Sequence, residues 1–337
     1  MKKYFLVLGS CILLGSCSTP DAANIARMLG GSSQALLYIN HKAVSENEIR
    51  FEFSRPVTVK NLTFESKEDI SIDSIEDGST TVKIKLRKSL PPGTPIKTDL
   101  LAEDEKKNSI NVLVSYRSRN DRMPSLVINE IRTENTKPKC EFIEFKTLSA
   151  GNLGGMRVVI HGNTNATRQT IYEFSPVEVN AGEYIVLNLR TVEEGCVDET
   201  GENLAESSGA NSTATGRDFW VPGSSVKMHK AASAIYVLDQ DDNVLTAVMI
   251  SDSAEERWAK DYLVTAAEFL FAQNAWKSAD GGIAGPADAV RSTGTTNTRT
   301  ICRDERTANT GTAADWYVTV TSGATPGRAN NVNRYSN

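Results

Sequence analysis

Ile49-Arg50-Phe51-Glu52-Phe53 sets an apolar side chain at every second position with a charge between each pair. Successive side chains of an extended chain point to opposite faces, so this stretch reads as a β-strand with one face buried. The same period recurs at Ile70-Ile72, Val82-Ile84-Leu86 and Ile110-Val112-Val114-Tyr116. Turn signals separate these runs, at Ser54-Arg55-Pro56, Asp77-Gly78 and Pro91-Pro92-Gly93. Short alternating strands with regular punctuation predict a small antiparallel sandwich over residues 35–118.

Upstream, Met1-Lys2-Lys3 precedes an apolar run from Tyr4 to Ser16. A basic start with a short hydrophobic stretch is the pattern of an export signal, and the run is too short for a bilayer-spanning helix. Leu14-Gly15-Ser16-Cys17 resembles the lipobox, which implies a signal peptide over 1–16, palmitate-type acylation of Cys17 and a membrane anchor through that lipid. Residues 17–34, Ala- and Gly-rich after Ser18-Thr19-Pro20, then form a tether. The resemblance implies a bacterial lipoprotein outside the cytoplasm. By analogy with enteric bacteria Ser18 is no inner-membrane retention signal, which points to the outer membrane, with the periplasmic and surface-facing leaflets both open.

The formal charge of −5 becomes about −7 once Lys2 and Lys3 leave with the signal. Nucleic-acid binders neutralise phosphates with Lys and Arg, so this balance excludes nucleic acid as a partner. Cys140, Cys196 and Cys302 remain beside Cys17, and one disulfide with three alternative pairings fits an oxidising compartment.

After a basic linker, Arg117 to Pro124, a second run of strands opens. Its strands surround one convincing helix at 253–279, where Trp258, Tyr262, Leu263, Ala266, Phe269 and Leu270 recur at helical spacing. Ser251, Asp252 and Ser253 could cap it and Gly281-Gly282 could stop it. Such a stripe usually faces its own core; the sharper reading makes Trp258 and Phe269 anchors for a partner. The loop from Val192 to Gly216 begins acidic, through Glu193-Glu194, Cys196 and Asp198-Glu199, and turns Ser/Gly/Thr-rich. It reads as a solvated insertion, and loops of that length are often functional, which makes it the expected binding surface.

Two resemblances sharpen the fold. Phe51-Glu52-Phe53-Ser54-Arg55-Pro56-Val57, Asp77-Gly78-Ser79-Thr80-Thr81-Val82-Lys83-Ile84 and Leu90-Pro91-Pro92-Gly93-Thr94-Pro95 resemble the bacterial immunoglobulin-like repeats of surface proteins. Leu126-Val127-Ile128-Asn129-Glu130-Ile131, Glu141-Phe142-Ile143-Glu144-Phe145 and Asn152-Leu153-Gly154-Gly155-Met156 resemble the opening of the lamin-tail domain. The likeness continues through Ala181–Leu187, the hairpin Ala234–Leu238 to Val244-Leu245, Trp316 and Thr325-Pro326-Gly327-Arg328-Ala329-Asn330. Departures are Met156 in place of the usual Trp, the long loop, and the insertion after Ile250. The implied fold is all-β: two immunoglobulin-like antiparallel β-sandwiches in tandem, at 35–118 and 125–332, with the amphipathic helix inserted in the second. The implied role is structural or interactive, with no catalytic residues.

The residues themselves give little chemistry. His41, His161 and His229 lack metal-ligand spacing, and no His-Glu-x-x-His, Gly-x-Ser-x-Gly or phosphate-loop motif occurs. Asp239, Asp241 and Asn243 space oxygen donors like the start of a calcium loop, but Val244 and Ile250 stand where that loop needs Gly and Glu. An acidic hairpin turn explains them more simply. The sequence therefore predicts a non-catalytic, lipid-anchored interaction or adhesion protein without cofactor, its partner an envelope or host macromolecule. The alternative is a metal-dependent carbohydrate binder, or an envelope hydrolase with a site assembled from scattered residues.

Overall fold

The computed structural model describes residues 35–162, 169–189, 194–223 and 228–336. Cys17, the signal and the tether lie outside the described residues. The described residues divide into two compact units: one takes in 35–88 with Ile96–Tyr116, the other Ser89–Pro95 with the described residues of 117–336. Both are all-β.

The first unit contains β1 (Tyr38–Ser45), β2 (Glu48–Glu65), β3 (Ile72–Glu76), β4 (Ser79–Leu86), β5 (Pro95–Asp104) and β6 (Ser109–Arg117) in the order β3-β4-β2-β5-β6, with β1 also on β2. The expected turn at Ser54-Arg55-Pro56 is instead a bend inside one 18-residue strand. Before it β2 pairs with β1 and β4; from Val57 to Glu65 it pairs with β5, with a register shift between Glu52 and Val57. Pro56 has no N–H for a ladder, so the irregularity falls where a partner would lose a bond anyway. Ile49, Phe51, Phe53, Val57, Val82, Ile84 and Leu100 are buried on the inner face, as the alternation requires.

The second unit packs two sheets. One holds β7 (Leu126–Arg132), β8 (Phe142–Thr147), β13 (Tyr184–Asn188), β14 (Gly216–Trp220), β18 (Ile301–Arg303) and β19 (Trp316–Val318), ordered β14-β13-β8-β7-β18-β19. The other holds β10 (Arg157–His161), β11 (Gln169–Glu173), β15 (Ala232–Leu238), β16 (Val244–Ser251) and β17 (Val290–Arg291), ordered β11-β10-β15-β16-β17. A two-residue ribbon pairs β9 (Gly151–Asn152) with β12 (Glu178–Val179). Pairing is antiparallel except between β13 and β14 and between β16 and β17. Ile128, Ile143, Phe145 and Leu187 of the first sheet share one core with Val158, Ile160, Ile235 and Val248 of the second. Phe174 anchors it in edge-on contacts with Phe145, Tyr172 and Phe219 at 6.0, 5.2 and 5.1 Å.

The helix is shorter than its stripe suggests: α1 runs Asp261–Ala272. Leu263, Ala266, Ala267 and Leu270 face the core, so the stripe covers the protein's own sandwich. The serines upstream make local turns instead of a cap: Ser251 Oγ accepts the Ser253 N–H at 3.0 Å and Ser253 Oγ that of Glu255 at 3.1 Å. The stop comes from Asn274, seven residues before Gly281. It takes φ +53°, while Ala275 and Asn274 donate back to the carbonyls of Leu270 and Phe271, both at 2.9 Å. Those paired bonds are a Schellman ending, in which Asn substitutes for the more usual Gly. Asn274→Ala should cost about 1 kcal/mol because alanine resists the left-handed region, whereas Asn274→Gly should be nearly neutral. Urea midpoints of the two variants check this.

Candidate binding cleft

The long loop after β13 is organised by carboxylates that its sequence offers as surface charge. Glu199 is fully buried. Its Oε1 accepts the N–H groups of Glu206 and Ser207, both at 3.0 Å, and its Oε2 that of Asp218 at 2.8 Å. One carboxylate thus serves three backbone donors, which a loop without ladder partners would otherwise leave to water. Asp198 accepts the Trp220 N–H at 2.8 Å, and Trp220 Nε1 donates to Ser207 Oγ at 2.9 Å. Gly209 lies against that indole, where a Cβ would fall 2.2 Å from the ring. Asn211 donates to Asn188 at 2.9 Å, and Asn188 to Asp218 at 2.7 Å. Burial pushes the Asp218 carboxyl up to about 6, with the nearby Glu199 charge adding to the effect. The insertion is exposed over much of its length, as a solvated loop would be, but the buried Glu199, Ser207 and Asn211 wire it into the sheet edge.

The wired loop forms one wall of a cleft of about 940 Å³. Thr200, Gly201, Glu202 and Leu204 line it together with the β9–β12 ribbon, Arg217 and Glu183. Arg217 is 4% exposed. Its Nε donates to Glu183 at 2.6 Å, and its Nη1 to the carbonyls of Glu199 and Gly201 at 2.7 and 2.6 Å. Nη2 has no hydrogen-bond partner among the described residues and is not shut off from solvent. At the rim Arg122 grips Glu178 through two bonds of 2.9 and 2.7 Å, and Asn152 donates to the same carboxylate at 2.9 Å. Those contacts hold the Glu178 carboxyl below its ordinary range, the Arg122 bond first. Sequence reasoning singled out the loop but not Arg217, Glu183 or Glu178, whose partners lie 34 and 56 positions away.

A second polar constellation gathers the motif residues of the two strand openings and the chain's end. Glu130 of β7 and Glu144 of β8 face each other in the ladder and are fully buried. Glu130 accepts the Thr325 N–H at 3.0 Å and the Thr325 hydroxyl at 3.0 Å; Glu144 accepts the Gly327 N–H at 2.6 Å. Asn330 donates to the carbonyls of Asn129 and Arg303, both at 2.9 Å. The segment Thr325–Asn330 is thereby strapped across the sheet. Burial raises both carboxyls, and in Glu144 the adjacent Glu130 charge adds to it. Thr325, Gly327 and Asn330 are buried while Arg328 and Ala329 face solvent, and the strap performs a structural task.

The other sequence candidates are occupied. Asp239 Oδ1 accepts the N–H groups of Asp241 and Asn243 at 2.7 and 2.9 Å, and Oδ2 accepts Asn243 Nδ2 at 2.9 Å. Asp241 binds Arg119 at 2.6 Å and Asp242 binds Arg157 at 2.6 Å. These are the bonds of a hairpin turn, and no metal-holding cluster occurs among the described residues. Asp239→Ala should cost about 1–2 kcal/mol through lost turn bonds, and calcium or a chelator should leave the melting temperature unchanged in wild type. A calcium-dependent shift would contradict this. Trp258 precedes α1, half-buried, with Nε1 donating to the Ala284 carbonyl at 2.9 Å. Phe269 packs on Tyr236 at 5.6 Å. Both serve the core rim. Cys140 and Cys302 are buried free thiols, and no disulfide joins them to Cys196.

Compared with known proteins, residues 124–318 match a family model named TP_1001_2nd and described as a protein second domain. The chain belongs to this family. The matched region contains the cleft-forming loop and the paired glutamates but ends before the strap. An uncharacterized protein of Treponema pallidum (strain Nichols) is 23% identical over 184 residues, 52% of this chain and 46% of that protein. The chain thus spans about half the length of the relative that it matches. Among solved structures, the N-terminal part of the bacterial S-layer protein SbsC is 13% identical, with TM-score 0.25, covering 68% of this chain and 47% of that one. A DUF4876 family protein from Bacteroides thetaiotaomicron VPI-5482 is 12% identical, with TM-score 0.26, covering 80% and 90%. TM-scores of this size leave the overall arrangement unmatched.

Proposed function

We propose that this chain is a non-catalytic, lipid-anchored interaction module of the bacterial envelope, held outside the cytoplasm through Cys17, whose second unit receives a partner in the 940 Å³ cleft. One observation carries the reading. The wall of the cleft is fixed in advance: three hydrogen bonds of 2.6–2.8 Å tie the insertion to β14, two of 3.0 Å fold it onto Glu199, and Arg217 is itself held by Glu183 at 2.6 Å. A preformed surface avoids the ordering cost that a free loop meets on binding. Arg217 with Glu183 and Arg122 with Glu178 are held in structural pairs, an arrangement suited to recognition more than to proton transfer. The export signal and the lipobox resemblance supply the address.

Two measurements test it together. Metabolic labelling with a palmitate analogue should mark wild type and not Cys17→Ala. The purified chain from residue 18 onward should bind isolated envelope saturably, and Leu204→Trp, which fills the cleft without touching its wiring, should abolish that binding at unchanged melting temperature. Label retained in Cys17→Ala would overturn the anchor. Binding indifferent to Leu204→Trp would overturn the cleft.

A further inference from the structure

We propose that the cleft takes a neutral polyhydroxylated ligand, a carbohydrate of the envelope or of a host surface, without a metal ion; this rests on the cleft being the receiving surface. Its hydrogen-bonding groups demand a ligand that both donates and accepts. Arg217 is 95% buried at its side chain yet has Nη2 without a partner among the described residues, so the lining of the cleft offers a fixed donor. Glu178 and Glu202, also in the lining, offer only acceptors. Sugar hydroxyls satisfy both, since each is one donor and two acceptors.

Charge narrows the class. The Arg217 cation is offset by Glu183 at 2.6 Å and the Arg122 cation by Glu178 at 2.7 Å, while Glu202 adds a further carboxylate to the lining. A phosphorylated or sulfated ligand would meet net negative charge, which costs affinity in a partly desolvated site. Between the polar groups Pro176, Val177 and Leu204 supply apolar wall for the C–H faces of sugar rings. The volume is at the upper end for small-molecule sites, which run to about 1,000 Å³, so an oligosaccharide fits better than one ring. An extended peptide also donates and accepts, but of the strands that line the cleft β9 and β12 are two residues long, and the outer edge of β14 is already taken by Asp198 and Glu199, so no edge is open to template an added strand.

The probes are a panel of neutral oligosaccharides, a matched panel of sulfated and sialylated ones, and a library of extended peptides, each titrated onto the purified chain from residue 18 onward with and without EDTA. The expected result is binding of neutral oligosaccharides, unaffected by EDTA and weakened at least tenfold by Leu204→Trp. Arg217→Lys keeps a cation beside Glu183 but gives up the donors to the Glu199 and Gly201 carbonyls as well as Nη2, so it should weaken binding similarly and also lower the melting temperature, which makes Leu204→Trp the discriminating variant. Failure of every neutral oligosaccharide, or preference for anionic glycans or peptides blocked by Leu204→Trp, overturns the ligand class while leaving the cleft reading in place. Neutral binding indifferent to Leu204→Trp overturns the site itself.

Discussion

Glu130→Ala lowers the unfolding free energy of the second unit by about 3 kcal/mol, and Glu130→Gln by much less. Alanine leaves the buried Thr325 N–H without an acceptor and opens a cavity beside the Thr300 and Thr325 hydroxyls, all of which now bind the carboxylate. Each unsatisfied buried donor costs about 1–3 kcal/mol, and the cavity adds to that. Glutamine keeps the shape and one acceptor oxygen, and its amide can donate to either hydroxyl, which accepts as readily as it donates.

The same pair sets a pH dependence. Folding raises the carboxyls of Glu130 and Glu144 above the ordinary 4.5, chiefly by burial, so the folded chain holds protons that the unfolded chain has released. Stability from that source is fully present below about pH 4.5 and is lost as pH rises towards the folded values. The Asp218 carboxyl, pushed from 3.8 up to about 6, adds the same sign between those two values. Arg132, Glu305, Tyr184 and Cys302 surround the pair; Arg132 favours its ionised form and the carboxylate of Glu305, itself paired with Lys146, opposes it. The melting temperature of wild type should fall from pH 5 to pH 8, and the fall should be smaller in Glu130→Gln, where Glu144 loses its charged neighbour. An identical slope in both proteins would contradict the assignment.

Gly216→Ala is the second large effect. A Cβ at Gly216 would lie 2.4 Å from Gly327 Cα, and at Gly327 a Cβ would lie 3.1 Å from the Gly216 N while φ there is +76°. The two glycines let the strap cross the first residue of β14 in backbone contact, and neither backbone has room to yield. Overpacking of that kind costs about 1–3 kcal/mol and occasionally more, and here it should also free the strap. Limited proteolysis should then cut Gly216→Ala within residues 325–336 while wild type resists. Gly201→Ala, with no heavy atom near its would-be Cβ, is the control and should melt like wild type. Equal protease resistance in Gly216→Ala would show that the crossing does not hold the strap.

The legible parts of the fold are those written as local pattern. Alternation located β2 and β4, the lamin-tail resemblance marked β7, which is buried on both faces, and apolar spacing located α1. Leu126–Ile131 and Glu141–Phe145 are adjacent strands in the structure, paired through Ile131 and Ile143. Boundaries failed where a side chain chose a local bond: the serines at 251 and 253 turn the backbone before α1, and Asn274 ends it in a conformation that only its flanking hydrogen bonds make favourable. The break expected at Pro56 is a bend because β4 and β5 hold the two sides of β2 together. The cleft was illegible for a different reason. Glu199 reads as one more surface acid in a polar loop, and only the folded chain brings the amides of 206, 207 and 218 to it. Arg217 sits in a strand like any solvent-facing charge until Glu183 is found beside it.

The binding account depends on that loop being fixed before any ligand arrives, and backbone hydrogen exchange of the ligand-free chain measures this directly. The amides of Glu206, Ser207, Asp218 and Trp220, all donated to buried or half-buried carboxylates, should exchange as slowly as those of the neighbouring strand β13. Exchange of these four amides at the rate of an open loop, with β13 protected, would contradict a preformed cleft and the recognition role built on it.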